Sequence, residues 1–247
     1  MLTTIEIDTH THTIASGHAF STLLENAAYA KKNGLKGLVL TEHSPSMPCG
    51  PVYFYPDVYP TLPRELEGVK AYYGMELDIL DCEGTLGLKD KYFRYLEFAI
   101  ASFHRPVLEP LGEKEATRAA LAALRSPYVD MLGHPGNPSY PVDIEAVVLE
   151  TKRLGKLVEI NNHSPVARKG SRERCLEFLR LCKRHEVPVA LSSDAHFAGN
   201  VGRVERTLEQ LAEADFPEEL VINATLERFE AYLQQRKERI ASSVFKD

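Results

Sequence analysis

The sequence is poor in cysteine, and its cysteines do not form a paired motif. Only four occur in 247 residues, and no Cys-x-x-Cys spacing is present. Two of them, Cys175 and Cys182, stand seven residues apart in a helical pattern, where thiols usually pack rather than bind metal. A disulfide-stabilised secreted protein is therefore not indicated, and the sequence predicts a reduced, cytoplasmic protein.

Long apolar runs and blocks of basic residues are also missing. No apolar run approaches the ~20 residues that span a bilayer, and the first residues, MLTTIEID, resemble a strand rather than a signal peptide. Lysine and arginine together number 29 against 35 aspartates and glutamates, which gives a formal net charge of −6. The sequence thus predicts neither a membrane nor long nucleic acid as a partner, whereas a homo-oligomer stays open.

The chain contains no internal repeat, low-complexity tract or linker, so we expect a single domain over residues 1–247. Helical patterns, such as the one at 21–34, alternate with short apolar runs that are typical of strands. These runs occupy residues 4–8, 37–41, 69–77, 98–103, 129–134, 156–161 and 187–193. Because strands separated by helices pair in parallel, the sequence predicts an α/β barrel of about seven βα units, with an open doubly wound sheet as the alternative.

The stretch IEIDTHTHTIASGH begins as a strand and ends in histidines. Residues two apart in a strand point to the same face, so His10 and His12 project side by side, with Asp8 behind them. Two imidazoles presented in this way suit a divalent transition metal, zinc above all. Taken alone, a His-x-His pair is also compatible with histidines that merely form hydrogen bonds at a strand end.

Residue types that bind metals stand at or just beyond the ends of most other predicted strands. They are His18, His43, Glu76, His104, His134, Asp194 and His196. Because the carboxyl ends of barrel strands meet at one mouth, we expect these side chains to converge there. Of the two remaining histidines, His185 lies in a charged helical pattern and is predicted to be solvated. His163 follows EINN at a strand end and is a candidate contact for substrate.

In combination these motifs resemble the PHP (polymerase and histidinol phosphatase) superfamily. The matching motifs, in the order of that family, are DTHTH (8–12), TEH (41–43), GME (74–76), SFH (102–104), GHP (133–135) and SDAH (193–196). GHPGNP, EINN, ARKGS and a loop rich in proline and aromatic residues are similar to the small stand-alone phosphatase branch. The resemblance implies a distorted (β/α)7 TIM-like barrel and three divalent metal ions, usually zinc, with manganese or iron in some members.

The resemblance also implies which residues hold each metal. One ion matches His10, His12, Glu76 and Asp194; a second matches Glu76, His104 and His134, with Glu76 bridging; the third matches His18, His43 and His196. Three divalent ions with these two carboxylates leave a site charge of about +4, which suits a phosphate dianion. The predicted reaction is therefore hydrolysis of small phosphomonoesters by attack of a metal-bound hydroxide, with no protein nucleophile.

Substrate contacts are expected from outside the ligand set. Arg168 and Lys169, in ARKGS, precede a helix whose first amide groups favour anions, and we predict that they bind phosphate together with His163. The loop at 44–63 carries six prolines and four aromatic residues. Such a loop fits a lid over the site, although a surface loop packed by its own side chains is an equal alternative.

Other activities are compatible with parts of this pattern. A phosphatase specific for histidinol phosphate is one refinement of the prediction. An amidohydrolase also begins with His-x-His on a barrel strand, but it does not require His18, His43 and Glu76 together. A nuclease acting on oligonucleotides is disfavoured by the acidic charge balance, and a zinc protein without catalytic activity would need sites saturated by protein ligands.

Overall fold

Seven parallel strands curve into a nearly closed barrel in a computed structural model that describes residues 2–244. The neighbours in the sheet follow the order β1-β2-β4-β5-β6-β7-β8, and β3 pairs with β4 as a short antiparallel addition. The strands are β1 (Ile7–Thr11), β2 (Gly37–His43), β3 (Glu65–Leu66), β4 (Val69–Asp78), β5 (Phe98–Ser102), β6 (Met131–Leu132), β7 (Leu157–Asn161) and β8 (Val189–Ser192). The predicted distorted barrel of seven parallel strands is confirmed, and the open doubly wound sheet is not found.

Helices pack around the outside of the sheet and against one end of the barrel. They are α1 (Leu23–Lys32), α2 (Glu113–Arg125), α3 (Ile144–Leu154), α4 (Ser164–Ala167), α5 (Ser171–His185), α6 (Glu205–Glu213) and α7 (Leu226–Val244). Helix α1 starts as its sequence indicates, because Thr22 and Glu25 form a reciprocal capping box. None of the helices described between residues 2 and 244 combines the length and the hydropathy that crossing a bilayer requires.

The barrel closes between β1 and β8 through a side chain rather than a continuous ladder. The Nδ2 of Asn223 donates to the carbonyl oxygens of Ile7 (2.8 Å) and Leu191 (2.7 Å), and its Oδ1 accepts from the amide of Leu191. Further along, the amide of His12 donates to the carbonyl of Ala195 at 2.9 Å. Asn223 thus pairs backbone groups of β1 and β8 that a continuous ladder between these strands would otherwise pair.

The inside of the barrel changes from apolar to polar along the strands. Alternate residues of a strand face the same side, so β7 places Leu157, Glu159 and Asn161 in successive layers. The lowest layer is apolar, and Phe229 and Tyr232 from α7 pack into it from below. Apolar side chains thus fill the barrel toward the amino ends of the strands, and the buried polar side chains lie toward the carboxyl ends.

A buried charge cluster holds α7 against the lower end. Asp130 is completely buried and accepts hydrogen bonds from Arg236 (2.7 Å) and Arg239 (2.5 Å) of α7. Its carboxylate also accepts from the amide of Ala99 at 2.9 Å. A buried carboxylate is stable only when its oxygens are fully paired, so this cluster fixes the position of α7. The lower end is therefore closed, and the upper mouth is the accessible end.

The proline-aromatic loop at 44–63 is partly folded. Its second half is a 3₁₀ helix (Tyr55–Thr61), and Tyr59 is buried with its hydroxyl donating to the carbonyl of Gly74 at 3.0 Å. Its first half lies against the turn at Gly17, where φ is 77° and a Cβ would come within 2.4 Å of the Cys49 carbonyl oxygen. The loop is thus anchored at both halves, and its role as a lid stays a prediction.

Candidate functional site

Glu76 lies at the centre of the polar layers and is fully buried. Its Oε2 is 3.4 Å from Nε2 of His10 and 3.6 Å from Nε2 of His12. Asp194 faces the same two histidines, with Oδ1 at 3.6 Å from His10 and 3.3 Å from His12. These four side chains form the first predicted ligand group, and the fold brings them together from β1, β4 and the segment after β8.

The other carboxylate oxygen of Glu76 faces a second pair of histidines. Oε1 is 3.0 Å from Nε2 of His134 and 3.4 Å from Nε2 of His104. The two oxygens of one carboxylate thus serve two separate groups of imidazoles. This arrangement is what a carboxylate shared between two ions requires.

Three further histidines meet at the outer side of this centre. Nε2 of His18 is 3.3 Å from Nε2 of His43 and 2.9 Å from Nε2 of His196. The other ring nitrogen of His43, Nδ1, is 2.9 Å from Oε2 of Glu76. His43 therefore connects the third predicted group to the central carboxylate, and all nine predicted ligands belong to one continuous cluster.

The donor set fits divalent metal ions. Tetrahedral ligands at the usual zinc distances are separated from one another by about 3.3 Å, which is close to the separations found here. Within residues 2–244, the buried polar atoms without a well-aligned hydrogen bond include Nε2 of His10, Nε2 of His12, Nδ1 of His43 and Oε2 of Glu76, although the last two lie 2.9 Å apart. Buried polar atoms are normally paired, so four such atoms within one cluster indicate that cations complete their coordination.

Hydrogen bonds at the ring nitrogen that faces away from Glu76 orient two of these imidazoles. Nδ1 of His10 donates to Oε1 of Glu159 at 2.6 Å, and Nδ1 of His104 donates to Oδ1 of Asp78 at 2.7 Å. A hydrogen bond at one ring nitrogen fixes the tautomer and makes the other nitrogen available to a metal. In both rings the free nitrogen, Nε2, is the one that faces Glu76.

Two of the candidate ligands have a strained backbone. His134 has φ of 30° and Asp194 has φ of 54°, values that residues with a Cβ rarely adopt. Strain of this kind persists only where the surrounding structure imposes it, and it is concentrated at functional sites. Here the imposed turns direct both side chains back into the barrel mouth instead of continuing the strands.

The carboxylates create a field that favours positive charge at His10 and His104, whereas burial lowers the pKa of His12 well below its usual range and that of His134 to about 4. Burial lowers the pKa of His10, but the neighbouring carboxylates, Glu159 first, outweigh this effect and hold its pKa well above the usual range. Burial also opposes protonation of His104, yet Glu76 and a hydrogen bond raise its pKa to about 10. Bound cations satisfy the same negative charge, so this field favours metal ions.

Three buried carboxylates support the cluster; sequence reasoning does not identify Glu159 or Asp78, and it places Asp8 only behind His10 and His12. Glu159 accepts from His10, from the hydroxyl of Ser192 at 2.6 Å, and from the amide of His134. Asp78 supports His104, and Asp8 accepts from the amides of Ser193 and Gly202 at 3.1 and 2.8 Å, so it holds the segment before Asp194. The sequence does contain a signal for such residues, because a carboxylate within an apolar strand must have a buried partner.

The predicted substrate contacts are divided between two depressions. The cluster opens into a cavity of about 590 Å³, which His163 and Arg168 line together with Met47, Pro48 and Cys49 of the 44–63 loop. Lys169 is not in this wall and lines an adjacent depression with His104 and Arg105. The guanidinium of Arg168 lies 3.8 Å from Oδ2 of Asp194. Arg168 and His163 are therefore placed at the cluster, whereas Lys169 is placed beside it.

Replacing Glu159 with glutamine is expected to weaken zinc binding about 10-fold to 100-fold. The substitution removes the charge that polarises His10 and weakens the acceptor that holds the His134 backbone. Competition with a chromogenic zinc chelator measures this directly. Glu177→Gln, on the exposed face of α5, is the matched control and should bind zinc as the wild type does. Equal affinities in the three proteins would contradict this role for Glu159.

Comparison with known proteins agrees with the motifs. The PHP domain model matches residues 8–163. A protein of Acetivibrio thermocellus named "Probable phosphatase" is 45% identical over 234 residues, which are 95% of this chain and 97% of that protein. A "Probable phosphatase" of Caldicellulosiruptor saccharolyticus is 44% identical over 93% of this chain and 96% of its own length.

Solved structures share the fold at low sequence identity. A histidinol phosphate phosphatase from Lactococcus lactis, complexed with zinc, L-histidinol and phosphate, superposes with a TM-score of 0.63 over 86% of this chain and 94% of that chain, at 17% identity. A chain of an archaeal ribonuclease P bound to mature tRNA gives a TM-score of 0.60 over 93% and 91%, also at 17% identity. Because the family model spans most of the cluster and relatives above 40% identity cover nearly the whole chain, the protein belongs to the PHP domain family.

Proposed function

We propose that this protein is a metal-dependent phosphatase that hydrolyses small phosphomonoesters at a site for three divalent ions. The observation that carries the proposal is the cluster itself. Its unpaired ligand atoms lie within one cluster, and this cluster opens into a cavity with an arginine in its wall. The relatives named probable phosphatases, and the likeness to a phosphatase complexed with zinc and phosphate, support it.

Each of the three ligand groups would hold one ion. His10, His12, Glu76 and Asp194 would hold one ion, Glu76, His104 and His134 a second, and His18, His43 and His196 a third. Zinc suits these donors best, and manganese or iron is compatible with them. Divalent ions at such positions supply an activated water and neutralise charge on phosphoryl oxygens.

The chain's own residues position the substrate. Arg168 is largely buried, with 16% of its side chain exposed, and its Nη1 donates to Oγ of Ser164 at 3.2 Å. A guanidinium held in this way presents its remaining N–H groups in a fixed direction, which suits the oxygens of a phosphate. His163 is exposed at the mouth and can contact the alcohol part of a substrate. Lys169 adds positive charge beside the cavity and attracts the anion.

A substrate panel tests the proposal. Metal-loaded enzyme is incubated with p-nitrophenyl phosphate, histidinol phosphate, nucleoside monophosphates and a long single-stranded oligonucleotide. We expect hydrolysis of the monoesters and weak or no cleavage of internal diesters. A terminal phosphate carries more charge than a diester, and the acidic chain offers no basic block for a nucleic-acid backbone. Faster cleavage of internal oligonucleotide bonds than of every monoester would favour a nuclease instead.

A further inference from the structure

A second cavity adjoins the metal cavity and points to the kind of alcohol that the substrate carries. It measures about 680 Å³ and shares His163, Asp194 and His196 with the metal cavity. Phe20 and Phe197 form part of its wall. We propose that this cavity holds the alcohol part of the phosphomonoester, and that this part is an uncharged group bearing an aromatic ring. The inference rests on the proposed phosphatase function and narrows its substrate class.

Apolar side chains around this cavity are unusually exposed. Phe20 is 81% exposed, Val166 60% and Phe197 53%. They are three of the ten large apolar side chains that are exposed among the described residues, and all three line this one cavity. Clustered exposed apolar surface next to a polar centre is typical of a ligand site, because a ligand that covers it removes it from water.

The two phenylalanines are held in place by the segments that carry candidate ligands. The amide of Phe20 donates to the carbonyl of His196 at 2.8 Å, and the amide of Ala198 donates to Oγ of Ser21 at 2.8 Å. The ring of Phe197 lies over Gly199, where a Cβ would come within 2.7 Å of Cε1. The backbone of Phe20 and the ring of Phe197 are therefore positioned before a ligand arrives, which reduces the entropy that binding costs.

The charges in the wall argue against a second phosphate on the substrate. Arg203 and Arg206 line the cavity, but Glu205 and Glu209 line it too and balance their charge. Oδ1 of the buried Asn162 accepts from the amide of Arg206 at 2.9 Å, so this side chain already caps the start of α6. An alcohol without net charge fits this balance, and its ring can stack on the exposed phenylalanines.

Two phosphomonoesters of primary alcohols test the inference. Benzyl phosphate carries a ring and isobutyl phosphate does not, while their phosphoryl chemistry is closely similar. We expect the ratio of their kcat/KM values to exceed about 5 in the wild type, and to fall at least about threefold in Phe20→Ala and in Phe197→Ala. Leu149→Ala is the control, because Leu149 is 47% exposed on α3 and lies outside both cavities. Its ratio should equal that of the wild type.

Binding of phosphonates separates failure of this inference from failure of the proposed function. Isothermal titration of the metal-loaded protein with benzylphosphonate and isobutylphosphonate reports preference without any reaction. Tighter binding of benzylphosphonate that is lost in Phe20→Ala and Phe197→Ala supports the aromatic site, even if no ester is hydrolysed. Hydrolysis of both esters at equal efficiency, with equal phosphonate affinities, would overturn the aromatic site and leave the phosphatase function intact. Absence of both hydrolysis and phosphonate binding would overturn both.

Discussion

Glu76→Gln is expected to lower kcat/KM for a phosphomonoester by more than about 100-fold, which exceeds the usual effect of losing a residue that only supports a ligand. Its two carboxylate oxygens face different histidine groups, with Oε1 3.0 Å from His134 and Oε2 3.4 Å from His10. The substitution removes negative charge from a position that we assign to two ions at once, so both ions bind more weakly. Steady-state kinetics together with elemental analysis of the purified variant measure the two consequences.

His18→Gln is the comparison variant for this prediction. His18 belongs to the outer group alone, and its Nε2 faces His43 and His196 rather than a carboxylate. Its loss should weaken one ion and lower turnover less than Glu76→Gln does. Near-normal turnover of a correctly folded Glu76→Gln protein would show that the bridging assignment is wrong.

Removal of metal is expected to abolish phosphatase activity and to lower the melting temperature. The cluster brings two carboxylates and several imidazoles together in a buried centre, and ions that bind only the folded state stabilise it. Activity should return on addition of zinc or manganese, with saturation at about three equivalents per chain, because nine ligand positions suffice for three sites.

Metal analysis of gently purified protein, followed by titration of the chelator-treated protein, measures this stoichiometry. Glu76→Gln serves as a variant with a defective site and should bind fewer ions under the same conditions. A reproducible value of one ion per chain, with no gain in activity on addition of zinc or manganese, would contradict a three-ion site.

The order and type of the main elements followed from the sequence because their signals are local. The run at 37–41 forms the first five residues of β2, and β1 begins at Ile7, three residues later than the predicted run at 4–8. The strand predicted at 129–134 is only Met131–Leu132, since the backbone turns away at His134. Helix α7 was not predicted as a separate element. Its role depends on contacts with Asp130, about a hundred residues earlier in the chain.

The candidate ligands also followed from the sequence, because strand ends of a parallel barrel necessarily meet at one mouth. The residues that orient these ligands did not follow from the sequence. Glu159 reaches His10 across 149 residues, and Asp8 reaches Ser193 across 185. Arg168 and Lys169 are neighbours in ARKGS, yet only Arg168 lines the metal cavity. Side-chain direction after a short helix depends on packing against other segments, which a local pattern does not contain.

By itself, then, the sequence determined the seven-strand barrel and the nine residues that gather at its mouth, since both depend on strand periodicity and on the order of short motifs. Only the tertiary structure decided how the barrel closes through Asn223, and which buried carboxylates orient the histidines. It alone placed Phe20 and Phe197 in the wall of one cavity beside the cluster. These features join segments far apart in the chain, and their geometry is set by packing and hydrogen bonding between elements rather than by the preference of any one element.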